Sequence, residues 1–303
     1  MRLSVPRGGV GGMTEPYEHA FDPDFLGVRA PLPTAPADAP LRELTYTHFT
    51  VLLDPRRRLA AATGVNIDGA GLLDLGRGDD WHLDPRVGAD EQAGPQLYAR
   101  NDLDRGHLVR RRDPVWGPAP VAGRANADTF AYPNAAPQAA RFNQSKELWN
   151  GLEDYLLEPA RAHRLRLTVL TGTVLDAGDP VYRGVGIPRL FWKVAAWADV
   201  PGDADPGPGA RLASTAYVLD QTPQLDEIDL RAATAQALAA GDVPPLGPFR
   251  TFQVPVRDVE ALTRLDLGPL VAADRLAAVS TQDHGPALRD GWVSLASAQD
   301  IRL

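Results

Sequence analysis

What most constrains the fold of this chain is that its β-rich stretches do not alternate with helices. Residues 45–54 (Thr-Tyr-Thr-His-Phe-Thr-Val-Leu-Leu-Asp) are β-branched and aromatic and close at Asp54-Pro55 like the end of a strand. Residues 59–67 read as a second strand that ends at the turn Asp68-Gly69, and 165–171, 191–198 and 214–219 as buried ones. The clearest helix covers 147–162, where Leu148, Trp149, Leu152, Leu156 and Ala160 recur at three- and four-residue steps, with Asn143 or Ser145 placed to cap it. A short helix is expected over 257–264, surface loops over 201–209 and 241–248, and no internal repeat is present. Strands and helices in this order do not supply regular βαβ crossovers. The expected class is α+β, built on a mostly antiparallel central sheet flanked by helices.

Residues 1–40 are rich in Gly, Pro and Ala and read as a flexible N-terminal arm able to strap onto the rest, with 41–303 as a single domain. The start carries no lysine-rich segment followed by an apolar run, so no standard secretory signal is expected; the protein is cytoplasmic or exported by a non-standard route. No stretch has the apolar length of a membrane span. Cysteine is absent, which excludes disulfides and thiolate metal sites and leaves oxygen and imidazole as metal donors, a set that suits hard cations.

The chemistry-bearing residues concentrate in the middle. Asp104-Arg105-Gly106-His107 is followed by Leu108-Val109-Arg110-Arg111-Arg112, and then by Asn134-Ala135-Ala136-Pro137-Gln138, Asn143-Gln144 and Trp149-Asn150-Gly151-Leu152-Glu153. An imidazole, with an ordinary pKa of about 6.5, can accept a proton near neutrality. A planar guanidinium two positions earlier suits a phosphate oxygen, and side-chain amides offer neutral oxygen ligands. A net charge of −8 is unusual for a partner of nucleic acid, but Arg105, Arg110, Arg111 and Arg112 make the neighbourhood of His107 locally basic. The bland readings stay beside these: Asn143 as a helix cap, Glu153 as a solvated helix residue, Arg110 to Arg112 as a charged edge, Trp149 and Trp192 as core, His48 and His82 as strand packing.

The ordered set Asp-Arg-Gly-His, Asn-x-x-Pro-Gln, Asn-Gln and Trp-x-x-Leu-Glu resembles that of the DNA/RNA non-specific endonucleases of the ββα-metal type. The similarity extends from about Leu44 to about Leu270 and includes Asn66-Ile67-Asp68-Gly69, Asp80-Trp81-His82-Leu83-Asp84-Pro85-Arg86 and Ile187-Pro188-Arg189-Leu190-Phe191-Trp192-Lys193. The resemblance implies a ββα-metal nuclease core and hydrolysis of both DNA and RNA to 5′-phosphate and 3′-hydroxyl ends. It implies His107 as general base, Arg105 on a phosphate oxygen, and Glu153 holding metal-bound water. The cofactor it implies is one divalent cation, Mg²⁺ with Mn²⁺ as the other candidate, on Asn143. The spacing from Asn143 to Glu153 exceeds the family's common form, which leaves Asn134 as the alternative ligand. Arg77 or Arg86 fills the place of an upstream arginine, and Arg110, Arg111 and Gln138 complete the expected substrate contacts. Two other readings stay open from sequence: a catalytically silent nucleic-acid-binding protein of the same fold, and a hydrolase of smaller phosphodiesters.

Overall fold

The structure is a computed structural model that describes residues 20–76, 78–139, 164–200, 209–222, 225, 250–276, 291–295 and 301. Stretch 45–54, expected as one strand, folds as a hairpin. β1 (Arg42–Tyr46) and β2 (Phe49–Asp54) pair antiparallel, with Tyr46 opposite Phe49. Thr47 and His48 make the turn, and His48 sits at φ 66°, a region that costs a non-glycine residue energy. Distant contacts hold it there. The Thr47 amide donates to the Asp128 carboxylate at 2.9 Å, the His48 Nδ1 lies 2.8 Å from the Pro114 carbonyl, and its ring stacks on Trp116 at 3.5 Å.

The remaining elements are β3 (Leu59–Asp68), α1 (Pro95–Tyr98), β4 (Leu103–His107), α2 (Ala119–Asp128), β5 (Ala135–Ala139), β6 (Arg166–Val174), β7 (Val181–Tyr182), β8 (Val185–Gly186), β9 (Leu190–Asp199), β10 (Arg211–Asp220), β11 (Arg250–Val254), α3 (Val256–Thr263), α4 (Pro269–Ala272) and β12 (Val293–Leu295). Eight strands form the main sheet in the order β1-β2-β3-β6-β9-β10-β11-β12, and each neighbouring pair is antiparallel. The α+β class with a mostly antiparallel sheet is the architecture found. The helix expected over 147–162 lies outside the described residues.

Strands β2, β3, β6 and β10 are buried almost end to end, and β9 from Phe191 to Ala196, because both faces of the sheet are covered, which erases the alternation of a half-exposed strand. On one face Leu52, Leu170, Trp192, Val194 and Val218 pack with Val256 and Val259 of α3, Leu270 of α4, and Leu26 and Ala30 of the N-terminal segment. Trp192 is fully buried there, as core. The described part of that segment, 20–40, is tied down by polar contacts as well. The Asn66 side chain accepts from the Asp22 amide at 2.6 Å, and Thr34 and Asp266 exchange two backbone hydrogen bonds of 2.9 Å. On the other face Phe49, Val51, Val65, Ile67, Val169, Phe191 and Tyr217 pack with Leu108, Val109, Ala136 and Ala139. Those four residues belong to β5 and to the turn after β4, so this second face is what carries the central motif. No helix among the described residues is long and apolar enough to cross a membrane.

Candidate active site

The two central motifs meet as an antiparallel ribbon. β4 contains Asp104-Arg105-Gly106-His107 and β5 contains Pro137-Gln138; Asp104 lies opposite Gln138, Gly106 opposite Ala136, and His107 opposite Ala135. Side chains alternate along a strand, so Arg105 and His107 project from the same side of β4, roughly 7 Å apart at their Cα atoms. Gln138 belongs to the opposite side. Its carboxamide covers Gly106, where a Cβ would meet Gln138 Cδ and Oε1 at 2.1 Å.

Buried amides clamp the ribbon. Asn134, fully buried, accepts from the Val109 amide at 2.8 Å and donates to the carbonyls of Val109 and Thr129, each at 3.0 Å. The Asn134 carbonyl also accepts from the Leu108 amide at 3.0 Å, so the backbone leaving His107 is held on both sides. At the other end Gln221, also fully buried, accepts from the Ala139 amide at 3.1 Å and donates to the Pro188 carbonyl at 2.6 Å. The entry to β4 is set by Asn101, whose side chain donates to Leu97 at the end of α1 and accepts from the Leu103 amide at 2.9 Å. Arg183, in the hairpin of β7 and β8, donates to the carbonyls of Gln96 and Ala99 and pins the same turn.

Aromatic rings surround the side of β4 that bears Arg105 and His107. The His107 ring packs on Trp81 at 4.7 Å and edge-on to Phe130 at 5.2 Å. The Arg105 guanidinium lies over the same indole at 5.3 Å and forms an ion pair of 3.6 Å with the exposed Asp79. Tyr132 continues the wall from Trp81 at 5.7 Å to Tyr98 at 6.1 Å. The Tyr98 hydroxyl is buried without a hydrogen-bond partner among the described residues. Burial, with Tyr132 beside it, pushes this phenol well above its ordinary range against the opposing pull of Arg105, so it stays a neutral donor. Burial, and then Asp104, raise the Asp102 carboxyl at the head of β4.

The expected site residues therefore separate. Arg105 and His107 are brought together, and Arg110 follows within the turn after β4, half-buried. Three of the expected residues are engaged with the framework. Arg86 is not presented to a site: its guanidinium wraps Asp84 at 2.6–3.2 Å, donates to the Thr45 carbonyl at 2.8 Å and covers the Tyr46 ring. The whole Asn134 amide serves backbone groups. Gln138 is 1% exposed behind Gly106. Arg111 donates to the Leu75 carbonyl at 2.9 Å and to Asn126 of α2 at 3.1 Å, which ties it into the framework. Arg77, Asn143 and Glu153 lie outside the described residues. Among the described residues no group of three or more His, Cys, Asp or Glu side chains is arranged to hold an ion. Sequence reasoning missed two contributors, Trp81 and Gln221. The first carried a signal, an aromatic in a stretch matching the family; the second, a glutamine at a strand end, carried none.

Comparison with known proteins agrees with this arrangement. The chain is 37% identical over 294 residues to the uncharacterized protein y4fB of Sinorhizobium fredii (strain NBRC 101917 / NGR234), a match covering 88% of this chain and 41% of that one. The chain thus spans less than half the length of this relative. Its fold is similar to that of EndoG in the crystal structure of the EndoG/EndoGI complex, with a TM-score of 0.52 at 19% identity, over 74% of this chain and 84% of that one. That likeness supports the ββα-metal type of α+β fold. The sequence profile of the DNA/RNA non-specific endonucleases matches residues 32–274, which takes in the ribbon, both faces of the sheet and the aromatic wall, and the chain belongs to that family.

Proposed function

We propose that this protein is a metal-dependent endonuclease that hydrolyses phosphodiester bonds of DNA and RNA without regard to the sugar. The observation that carries the reading is the placement of Arg105 and His107 on one side of a clamped strand, facing a common aromatic wall. A phosphodiester bound there has its non-bridging oxygen on the Arg105 guanidinium, where planar, charge-assisted hydrogen bonds suit it. His107 takes a proton from a water, the water oxygen attacks phosphorus, and the bond to the 3′ oxygen breaks as that oxygen takes a proton from solvent. That leaves a 5′-phosphate and a 3′-hydroxyl. Recognition through phosphate and sugar carries no direct base information, which fits cleavage without sequence preference. Arg110, and Arg77 in the segment before Trp81, are further phosphate contacts in this reading.

The family resemblance adds one divalent cation, Mg²⁺ or Mn²⁺, on Asn143, with Glu153 accepting from its waters. Bound there, it would stabilise charge on the phosphoryl oxygens and on the leaving group. The test is incubation of wild type and His107→Ala with supercoiled plasmid and with RNA, each in Mg²⁺ and in EDTA. Degradation of both polymers by wild type in Mg²⁺, absent in EDTA and in the variant, is the expected result. Intact polymers under Mg²⁺ and Mn²⁺ alike sink the enzymatic reading, and salt-dependent binding without cleavage would replace it with a binding module.

A further inference from the structure

Arg105 is the cationic partner of the pair and is partly exposed. Its side chain is 36% exposed, and its ion pair with Asp79, itself 71% exposed, is of the solvated kind that fixes a position weakly. Among the described residues, what else holds the guanidinium is the Trp81 indole beneath it at 5.3 Å, an arrangement favoured by the ring's negative face. The same indole is the contact surface of the His107 ring at 4.7 Å. One side chain thus touches both functional groups.

Trp81 is itself anchored to the frame that carries β5. The residue after it, His82, donates its backbone amide to the Phe130 carbonyl at 3.1 Å and accepts from the Tyr132 amide at 2.9 Å. Phe130 meets the indole edge-on at 5.4 Å and Tyr132 lies 5.7 Å away, so the indole plane is set by two rings from the segment that leads into Asn134. Segment 130–134 clamps the exit of β4, while Trp81, hung on that segment, backs the side chains that β4 projects. Backbone and side chains of the pair are therefore referred to one rigid piece.

Resting on the nuclease reading, the geometry points to Trp81 as a positioning residue that holds the Arg105 guanidinium at a fixed separation from the His107 imidazole, so that anchor and base address the same phosphodiester. Fixing two groups against one reacting centre is worth large factors in rate, and small displacements are costly.

Trp81→Leu removes the ring face and Trp81→Phe keeps one, and both are compared with Arg105→Ala and with the Trp81→Leu/Arg105→Ala double variant. Two readouts are taken: turnover in Mg²⁺, and equilibrium binding of a single-stranded oligonucleotide in EDTA, where nothing is cut. Trp81→Leu is expected to weaken oligonucleotide binding about tenfold and lower kcat by at least as much, with Trp81→Phe restoring most of both. The double variant should bind no more weakly than Arg105→Ala, because Trp81 acts on binding through Arg105. Binding by Trp81→Leu equal to wild type, or losses that simply add in the double variant, overturn the inference. Melting curves identify an unfolded Trp81→Leu, in which case Trp81→Phe/Arg105→Ala closes the same cycle on a folded chain. Wild type that binds but does not cut refutes the nuclease reading alone, since the binding cycle still decides the place of Trp81. Wild type that neither binds nor cuts refutes both.

Discussion

A Cβ on Gly106 would lie 2.1 Å from the carboxamide carbon of Gln138 and 2.6 Å from its Cγ, so the motif glycine and the motif glutamine fill one volume between them. Gln138 is 1% exposed and cannot swing out into solvent to make room. Gly106→Ala should therefore cost about 1–3 kcal/mol of stability, the usual range for over-packing, and disturb the strand that carries His107. Gly106→Ala/Gln138→Ser should recover part of that loss. Urea unfolding of the two single variants and the double one checks this, and strict additivity of the losses would show that the two residues do not share the space.

Asn134 and Asn143 part in the same kind of experiment. Three hydrogen bonds from a fully buried amide tie Asn134 to backbone groups on both sides of the turn. Asn134→Ala strands those partners and should cost about 3 kcal/mol, without changing the metal concentration at which the folded protein is half-active. Asn143→Ala should do the reverse, keeping the melting temperature and raising the metal requirement. A metal dependence altered by Asn134→Ala alone would return Asn134 to the role of ligand.

The order of β-rich segments was legible because β-branched and aromatic runs are local signals, and Arg105 and His107 were legible because the Asp-Arg-Gly-His motif that holds them is contiguous in the sequence. The break at Thr47-His48 was not, since the forces that hold it come from Asp128, Pro114 and Trp116. Nor could sequence assign the amides. A side-chain amide serves a cation, a substrate or a backbone clamp with the same atoms, and only the positions of Val109 and Thr129 decide the case for Asn134. Arg86 did carry a local hint, an aspartate two residues before it, which a search for phosphate-binding arginines passes over.

The pairing of Arg86 with Asp84 gives a prediction in pH. Asp84 is nearly buried, which alone would raise its pKa, but hydrogen bonds from Arg86 and from the Tyr46 hydroxyl at 2.6 Å hold it below the ordinary carboxylate value. A depressed folded-state pKa means stability that is present above the unfolded pKa of about 3.9 and is lost as pH falls through the folded value. Asp84→Asn should lower stability at neutral pH and flatten the acid limb of the unfolding profile below about pH 4. Arg86→Ala should cost about 2 kcal/mol while the folded fraction keeps its KM for DNA; Arg105→Ala should keep its stability and lose binding. A raised KM in folded Arg86→Ala would restore Arg86 to the substrate.

Tyr98 offers the opposite case, a polar group with nothing to lose. Its hydroxyl is buried and has no partner among the described residues, and an unmatched buried hydroxyl costs free energy that a hydrogen in its place does not. Tyr98→Phe keeps the ring that stacks on Tyr132 and should leave stability unchanged or raise it by up to about 1 kcal/mol, seen as an equal or higher melting temperature. Turnover should stay at the wild-type level, because the ring wall that borders Arg105 is intact. A higher melting temperature accompanied by slower cleavage would mean that the hydroxyl finds its partner only when substrate arrives, and that the cost carried by the free protein is recovered on binding.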